Sequence, residues 1–427
     1  MMFATRICIS VCALSLLLLP AASELTDHPV EISEGSTEIP KPILLWENAV
    51  PRATGDSAED KPAVYAYLPD AAKNTGAAIL VCPGGANQTR CVDYEGVVIA
   101  QYFRKRGVAA FVLRYRIGPL YTAAEARLDT QRGIQFLRAN AEKFKIAPDR
   151  IGVIGFSAGA SNCCAATFNA LPGNPGSADP VERVSSSPNF LVPVYGSSTV
   201  PDATKSPLPP TFMYCTHEDS AINGMVTMYT ALRKKNVPTE IHFFEKGPHG
   251  VGFATGDPVL GEYPNLLYNW MRQKGFLTAE KRVALQGIVK VDGEPLPHGV
   301  VVLHPLDKVG APPVVGYITN TAMVRGEYKL AANSGPVPGK YRVEVYQDAV
   351  QWLSNANNPM YPKFKLLKNG TDAQKKEITD YARSRNLEPT IEDLRVYRKT
   401  RPTDAADLVV EVKAGGNGRI DIDVFSK

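Results

Sequence analysis

The stretch at residues 150–160 constrains the fold of this chain more than any other. Its first half holds branched apolar residues at Ile151, Val153 and Ile154, which predict a short buried strand. The second half, Gly-Phe-Ser-Ala-Gly around Ser157, fits the pattern G-x-S-x-G, in which a serine sits on a sharp turn from a strand into a helix. An alanine-rich run follows and suits that helix. We predict that Ser157 is a nucleophile. The alternative is an ordinary glycine-rich turn without chemistry.

Strand and helix patterns alternate on both sides of this stretch. Continuous apolar runs at 77–82 and 108–113 are typical of strands covered on both faces, and a third strand pattern lies at 64–68. Further strands are predicted at 190–195, 211–215 and 240–244, and helices at 95–106, 123–144, 161–171, 223–235 and 263–275. This alternation predicts an α/β class, with a mainly parallel sheet and helices on both faces.

The pattern changes near residues 277–285. From residue 286 onward, short strands separated by turn residues predict a smaller all-β sandwich of roughly a hundred residues. A charged piece at 361–403, basic on balance and helical at 372–385, is predicted to be an insertion into it. A length of 427 residues also favours two domains. The predicted divisions are a leader (1–23), an N-terminal segment (24–60), an α/β domain (61–276), a linker (277–285) and the β-sandwich (286–427).

The composition is that of a globular protein, with 44% hydrophobic and 21% charged residues. The formal net charge of +4 is small for this length and gives no reason to expect a nucleic-acid partner. Residues 1–23 resemble a secretory signal, with Arg6, an apolar run at 7–19 and small residues at 20–23. The less favoured alternatives are an uncleaved anchor, because the run is short for a membrane span, and a lipoprotein attached through Cys12. We therefore expect export, to a periplasm or beyond, without a stable membrane anchor.

The cysteines do not form a disulfide framework, because an odd and scattered set remains after the leader. These residues are Cys82, Cys91, Cys163, Cys164 and Cys215. Cys82 and Cys91 are close enough in sequence to pair in an oxidising compartment, but buried thiols are expected for most of the set. No Cys/His spacing resembles a zinc site, and no metal or organic cofactor is implied.

A serine hydroxyl becomes a good nucleophile only when a base takes its proton, and that base needs an orienting carboxylate. In a sheet of this class both partners follow the serine in the chain, on loops after later strands. His249, set among turn residues directly after the strand at 240–244, is the best candidate for the base. The acid lies in the adjacent pair Glu218 and Asp219, and the residue types alone do not choose between them. The other histidines fit less well; these are His28, His217, His242, His298 and His304.

Ester hydrolysis also needs hydrogen-bond donors for the negatively charged oxygen of the tetrahedral intermediate. The strand ending at Cys82 runs into Pro-Gly-Gly-Ala at 83–86, and backbone N–H groups of such a turn supply these donors. Gly85 and Ala86 are the candidates there, and Ala158 supplies a third from the serine turn. A plain tight turn is the alternative, and the position of this turn after an early strand of the same sheet disfavours it.

Several short motifs between residues 60 and 276 recur in one family. They are Cys-Pro-Gly-Gly at 82–85, Asp-Tyr-Glu-Gly at 93–96, Leu-Arg-Tyr-Arg at 113–116, Asp-Thr-Gln-Arg at 129–132, Pro-Asp-Arg-Ile-Gly at 148–152 and Glu-Lys-Gly-Pro-His-Gly at 245–250. Through them the chain resembles the α/β-hydrolase family, and more narrowly the esterase/lipase branch of acetyl xylan esterases and related carbohydrate esterases. The resemblance implies Ser157 as nucleophile, Asp219 as acid and His249 as base, since the family acid aligns with the second residue of an acidic pair.

Two departures from this family lie beside the predicted site. Ala86 stands where the family usually has a third glycine, and Ala-Ser-Asn at 160–162 stands where it usually has Gly-His-Leu. An alanine keeps its backbone donor if its φ stays negative, so activity is still expected. The pocket beside the serine is expected to differ from that of the family.

Residues 286–427 resemble the carboxypeptidase-regulatory-like, transthyretin-like β-sandwiches appended to exported bacterial enzymes. The matching segments are Gly-Ile-Val at 287–289, Asp-Gly-Glu-Pro-Leu-Pro at 292–297 and Pro-Gly-Lys-Tyr-Arg-Val at 338–343. The resemblance assigns no catalytic residue to this part of the chain. A structural or interaction role is expected, by packing against the other domain or by contact with a glycan or a partner protein.

These features together predict an exported serine hydrolase that cleaves carboxylic esters, with small-molecule or polysaccharide esters as substrates and acetyl esters of carbohydrates as the expected class. One rival is a peptidase of the prolyl-oligopeptidase type, which shares the order Ser, Asp, His; the lack of a long β-propeller segment upstream disfavours it. The other is a catalytically silent protein that holds an acidic glycan, which the complete set Ser157, Asp219 and His249 disfavours.

Overall fold

The computed structural model describes a large part of the chain. The described residues are 39–204, 206–278, 280–291, 293–296, 299–308, 310–319, 326–332, 334–347, 371–384, 398–400, 408–416 and 418–424. The predicted leader at 1–23 and most of the predicted insertion at 361–403 lie outside them, so export stays a prediction. In the described part of the chain, no helix has the length and apolarity that crossing a membrane requires.

Eight strands form the first sheet. In chain order they are β1 (Ile43–Leu44), β2 (Ala63–Tyr67), β3 (Ala78–Cys82), β4 (Ala109–Arg114), β5 (Ile151–Phe156), β6 (Phe190–Val194), β7 (Thr211–Thr216) and β8 (Thr239–Phe244). Their order across the sheet is β1-β2-β4-β3-β5-β6-β7-β8. The pairs from β4 to β8 are parallel, whereas β1 and β2 add antiparallel pairs at one edge. The predicted mainly parallel sheet is confirmed; the short edge strand β1 was not predicted, because it lies in a polar segment rich in proline.

Helices connect the strands of this sheet. They are α1 (Val98–Lys105), α2 (Ala123–Ala139), α3 (Ala141–Phe144), α4 (Ala158–Phe168), α5 (Ile222–Lys234) and α6 (Tyr263–Gln273), and a π-helical turn (Asp93–Val97) precedes α1. The helix predicted at 123–144 is therefore two helices. It breaks at Asn140, whose side-chain amide donates to the carbonyl of Phe136 and so ends α2.

The core of the first sheet explains why the serine turn has a rigid base. Every residue of β3 and of β5 is buried, as their continuous apolar sequences predict. The two strands pair in parallel register, with Cys82 opposite Gly155. Each branched side chain buried in this way contributes about 1.5–3 kcal/mol relative to exposure. The carboxyl ends of β3 and β5 are therefore held side by side, and the Pro83–Ala86 turn follows one while Ser157 follows the other.

Two of the sequence motifs have a structural role. Arg116, from Leu-Arg-Tyr-Arg, and Asp129, from Asp-Thr-Gln-Arg, form an ion pair in which neither side chain is exposed to solvent. The guanidinium donates to both carboxylate oxygens, at 2.7 Å from Nη2 to Oδ1 and 3.0 Å from Nε to Oδ2, and the backbone N–H of Arg116 adds a bond of 2.8 Å. Tyr115 donates its hydroxyl to the carbonyl of Pro83. The segment after β4 is thus tied both to α2 and to the turn after β3.

The remaining strands form the second sheet. They are β9 (Leu285–Val291), β10 (Glu294–Pro295), β11 (Gly299–Pro305), β12 (Val314–Thr319), β13 (Glu327–Leu330), β14 (Gly339–Gln347), β15 (Arg398–Thr400), β16 (Val409–Val412) and β17 (Ile422–Val424). All their pairings are antiparallel except that of β17 with β9. Alternate residues of β9 and β11 point into a separate apolar core, so the predicted all-β character is confirmed.

The predicted insertion contains a helix and also contributes a strand to the second sheet. Its helix is present as α7 (Asp372–Ser384), close to the predicted bounds. Its last part, however, includes β15, which pairs with β14. β12 was also not predicted, although its Val-Val-Gly-Tyr-Ile-Thr sequence suits a strand.

The five cysteines after the predicted leader all fall within the described residues, and all are free thiols. Four are buried, as expected, and Cys91 is half-buried. The sequence allowed a bond between Cys82 and Cys91, but the thiol of Cys82 lies beside that of Cys163 instead. Burial is the main cause that raises the pKa of Cys163.

Candidate active site

Ser157 lies on a strained turn between β5 and α4. Its φ is 51° and its ψ is −119°, a conformation that non-glycine residues rarely adopt. The flanking glycines are required by close approach: a Cβ on Gly159 would lie 2.1 Å from the carbonyl oxygen of Cys82, and one on Gly155 would lie 2.4 Å from that of Gly159. The turn therefore projects the serine beyond the end of the sheet, in the geometry that the G-x-S-x-G pattern describes.

His249 bridges Ser157 and Asp219. The distance from Nε2 of His249 to Oγ of Ser157 is 2.7 Å, and the distance from Nδ1 to Oδ2 of Asp219 is 2.8 Å. Asp219 follows β7 and His249 follows β8, so neighbouring strand ends bring the side chains together. Asp219 is 1% exposed in its side chain, whereas the imidazole of His249 is 45% exposed.

The contacts of Asp219 differ from those of the adjacent Glu218, and only Asp219 bonds to the imidazole. Its second oxygen, Oδ1, accepts the backbone N–H of Ala221 at 2.8 Å. The neighbouring Glu218 instead accepts the backbone N–H of Gly247 at 3.0 Å and does not contact the imidazole. Because an ionised carboxylate only accepts hydrogen bonds, the proton of the neutral imidazole lies on Nδ1, which leaves Nε2 to accept from the Ser157 hydroxyl.

The turn after β3 lies against the serine. A Cβ on Gly84 would lie 3.0 Å from Cβ of Ser157. Among the described residues, no protein group accepts the backbone N–H of Gly85 or of Ala86. Ala158 begins α4, where the first N–H groups of a helix have no acceptor within the helix. These three candidate donors are thus near one another and available.

Ala86 does not have the negative φ on which its role as a backbone donor was made conditional. Its φ is 55°, and that of Asn87 is 56°, so the turn passes through two consecutive left-handed residues. Glycine adopts this conformation without cost, whereas alanine is strained in it. The side chain of Asn162, on α4, donates to Oδ1 of Asn87 at 2.8 Å, and the carbonyl of Asn87 accepts from the N–H of Gly118 at 2.7 Å. The departure at Asn162 thus supplies a bond that supports the departure at Ala86.

Glu95 connects the two halves of the site. It is 1% exposed, and its carboxylate accepts the backbone N–H of Gly84 at 2.8 Å and the hydroxyl of Tyr195 at 2.5 Å. Tyr195 in turn accepts the N–H of Gly252 at 2.9 Å, and its ring meets that of His249 edge-on, with centroids 5.0 Å apart. Burial raises the pKa of Glu95, while its two donors oppose that shift. One buried carboxylate therefore ties the turn after β3 to the loop that carries His249.

Sequence reasoning did not identify Glu95, Tyr195 or the pair Asn87 and Asn162 as parts of this site. Glu95 lies in the motif Asp-Tyr-Glu-Gly, at the start of the helix predicted at 95–106, and no role was assigned to it there. Two other described histidines pair with carboxylates outside the site: His242 pairs with Glu240, and His304 pairs with Glu344. His217 is exposed. His28 and His298 lie outside the described residues. The same residues contain no cluster of His, Cys, Asp and Glu side chains that could hold a metal ion.

Parts of the chain are similar to known proteins. Residues 65–198 match the family described as BD-FAE. The chain is 30% identical over 238 residues to endo-1,4-beta-xylanase B of Butyrivibrio fibrisolvens, a match that covers 47% of this chain and 36% of the xylanase. It is 27% identical over 238 residues to an acetylxylan esterase of Xylanibacter ruminicola, covering 51% of this chain and 49% of the esterase. The chain thus spans less than half the length of these two relatives.

One solved structure is similar over nearly its whole length. It is the acetyl ester-xyloside bifunctional hydrolase of Caldicellulosiruptor lactoaceticus, with 30% sequence identity and a TM-score of 0.50. The match covers 56% of this chain and 99% of that hydrolase.

Proposed function

The chain belongs to the α/β-hydrolase esterases, and from that premise we propose that it hydrolyses carboxylic esters through an acyl-enzyme formed on Ser157. One observation carries the proposal: His249 lies between Ser157 and Asp219, at 2.7 Å and 2.8 Å, with its two ring nitrogens facing opposite partners. This is the arrangement in which an imidazole removes the serine proton while a buried carboxylate holds its tautomer.

The first half of the reaction forms the acyl-enzyme. Nε2 of His249 takes the Oγ proton as Oγ of Ser157 attacks the ester carbonyl carbon, and Asp219 stabilises the resulting imidazolium. The carbonyl oxygen becomes negatively charged and is held by the N–H groups of Gly85, Ala86 and Ala158. When the tetrahedral intermediate collapses, the C–O bond to the alcohol breaks, and His249 returns its proton to the departing alcohol oxygen.

The second half of the reaction releases the acid. A water molecule replaces the alcohol beside His249, loses a proton to Nε2 and attacks the acyl carbon. The second tetrahedral intermediate then expels Oγ of Ser157, which recovers its proton from His249. Removal of one oxyanion donor costs a serine hydrolase about 10²–10³-fold in kcat. No step draws on a group from outside the chain other than water.

We further propose that the esters are acetylated carbohydrates, with polysaccharides or their fragments as the natural substrates. The support is the similarity to an acetylxylan esterase and to an acetyl ester-xyloside hydrolase. No role in the reaction is proposed for the second sheet. Its contact with a glycan or a partner protein stays a prediction.

Paired variants test the proposed chemistry. Wild-type protein should hydrolyse p-nitrophenyl acetate and be labelled by a fluorophosphonate probe, and Ser157→Ala should abolish both. Asp219→Asn should lower kcat by about 10⁴-fold because it favours the wrong imidazole tautomer. Glu218→Gln is the matched control, since the carboxylate of Glu218 is adjacent in sequence to Asp219 but does not touch His249. Equal losses in the two acid variants, or labelling that survives Ser157→Ala, would contradict the proposal.

A further inference from the structure

An exposed aromatic ring lies along the loop that carries His249. Tyr94 is 40% exposed and belongs to the π-helical turn Asp93–Val97. A Cβ on Gly252 would lie 3.1 Å from Cδ2 of Tyr94, and one on Gly250 would lie 3.8 Å from its hydroxyl. The ring therefore extends from Gly252 towards Gly250, the residue that follows His249. Single π-helical turns are rare and occur frequently at functional sites.

Several contacts fix the position of this ring. The next residue, Glu95, is buried and bonded to Gly84 and Tyr195, which anchors the backbone of the turn. The hydroxyl of Tyr94 lies near the thiol of Cys91, whose proximity is the main cause that raises the pKa of Tyr94, ahead of burial. The N–H of Cys91 donates to the carbonyl of Gly84 at 3.0 Å. The backbone of the turn is anchored and the ring packs along Gly252 and Gly250, so little conformational freedom would be lost when a ligand covers it.

The chemistry of the site identifies which part of the substrate meets Tyr94. The acyl carbonyl oxygen must lie at the N–H groups of Gly85 and Ala86, and the departing alcohol oxygen must lie within reach of Nε2 of His249. The carbonyl oxygen and the alcohol therefore leave the reacting carbon in different directions. Tyr94 lies against Gly250 and Gly252 of the loop that carries His249, and this contact assigns its ring to the alcohol side, where the half-exposed imidazole is open to solvent.

The chemical character of the ring indicates what kind of alcohol it suits. A tyrosine held in place offers a flat apolar face with a polar edge, and such residues are well suited to ligands that are themselves amphipathic. A sugar ring has this character, with C–H groups on its faces and hydroxyls at its rim. Val92, which is 43% exposed and two residues away, adds apolar surface beside Tyr94.

We propose that Tyr94 is a stacking platform for the sugar ring on the alcohol side of the ester. The proposal rests on the proposed esterase function and adds a residue that determines substrate preference. Tyr94 would discriminate saccharide esters from esters of small alcohols without taking part in proton transfer. Its ring, rather than its hydroxyl, would carry the effect.

The test compares two acetate esters, acetylated xylo-oligosaccharides and methyl acetate, with release of acetate as the readout. Tyr94→Ala should lower kcat/KM for the saccharide esters about tenfold, the size expected for loss of one stacking contact. For methyl acetate, which has no ring to stack, kcat/KM should change less than about twofold. Tyr94→Phe should behave like wild type on both. Tyr317→Ala is the control, because Tyr317 is 70% exposed and lies on β12 of the second sheet.

The possible outcomes separate this proposal from the proposed function. An equal fall on both esters would show that Tyr94 only shapes the His249 loop, and no fall on either would show that it is idle; both results overturn the platform. Wild-type activity on methyl acetate but not on the saccharide esters would also overturn it, while the esterase function stands. Wild-type activity on neither would contradict the esterase function itself.

Discussion

The side-chain amide of Asn162 donates a hydrogen bond to Oδ1 of Asn87 across 2.8 Å. Asn162 lies on α4, the helix that starts beside Ser157, and Asn87 directly follows Ala86 in the turn after β3. The bond therefore links the helix that follows Ser157 to the turn that carries the candidate oxyanion donors Gly85 and Ala86. A leucine at 162, as the family usually has, could not make it.

Asn162→Leu should lower kcat for p-nitrophenyl acetate by about 10–10²-fold while KM changes less than about twofold, because the donors act on charge that develops in the transition state. Steady-state kinetics check this. Asn169→Leu is the matched control: Asn169 lies at the end of the same helix, and its side chain bonds only to the carbonyl of Ala165. A rise in KM at constant kcat would instead indicate a role in binding the ground state.

Glu95→Gln should lower kcat by about 10²-fold, the loss expected when reacting groups are misplaced by about 1 Å. Both partners of Glu95 donate to it, through the N–H of Gly84 and the hydroxyl of Tyr195, and an amide offers only one accepting oxygen for two donors. Glu218→Gln also places an amide on a glycine N–H but leaves the turn after β3 untouched, so its kcat should stay near wild type. Similar kcat values for the two variants would contradict a positioning role for Glu95.

Ala86→Gly should raise the free energy of unfolding by about 1 kcal/mol, because glycine removes the strain of the left-handed φ of 55°. Ala165→Gly makes the same change inside α4 and should lower it by about 1 kcal/mol, since glycine weakens a helix interior. Chemical denaturation followed by tryptophan fluorescence measures both. Shifts of the same sign in the two variants would show that Ala86 is not strained.

Asp129→Ala should destabilise the fold by about 3–5 kcal/mol, because it leaves the guanidinium of Arg116 buried without its partner. Asp56→Ala removes the partner of Lys61 from an ion pair in which the aspartate is 92% exposed, and should cost less than about 1 kcal/mol. Denaturation midpoints distinguish the two. A cost for Asp129→Ala as small as that of Asp56→Ala would mean that water reaches Arg116 in the native protein.

The start of α2 should make stability depend on pH. Two hydrogen bonds from Thr122 lower the pKa of Glu125 from its ordinary value of 4.5 to about 2, and the bond from the side chain has the larger effect. Between these values the unfolded chain binds more protons than the folded one, so this stabilisation is complete above pH 4.5 and is lost as the pH falls towards 2.

Glu125→Gln keeps an acceptor for Thr122 but cannot titrate. The variant should therefore show a smaller decrease in denaturation midpoint between pH 6 and pH 3 than wild type. Thr122→Val, which removes the hydroxyl donor, should also reduce this decrease. A decrease of equal size in all three proteins would contradict the assignment.

The elements that the sequence predicted well are those set by local pattern. The strands that become β3, β5 and β8 are uninterrupted apolar or alternating runs, and their ends place Ser157 and His249 on the same edge of the sheet. The choice between Glu218 and Asp219 came from the family resemblance. Both are carboxylates at adjacent positions, and the sequence does not show which of the two side chains points towards His249. Their contacts with Gly247 and His249 supply that direction.

The features that the sequence did not reveal depend on contacts between distant segments. Glu95 and Tyr195 are 100 positions apart, so neither position on its own shows that a buried carboxylate meets a buried phenol. The left-handed turn at Ala86 and Asn87 is accompanied by bonds to Asn87 from Asn162 and Gly118, and alanine alone would favour a negative φ. Edge strand β1 forms because β2 offers a free edge, which outweighs the weak strand tendency of its own sequence.

The pairing of β15 with β14 has a consequence for how the second sheet tolerates change. Gln347 lies opposite Arg398, so the chain leaves and rejoins the sheet at one pair of neighbouring residues. The entropic cost of closing a loop between two fixed ends grows only by about 0.6 kcal/mol for each doubling of its length. A change in the length of the connection between β14 and β15 should therefore cost the second sheet little free energy, as long as Gln347 and Arg398 stay paired.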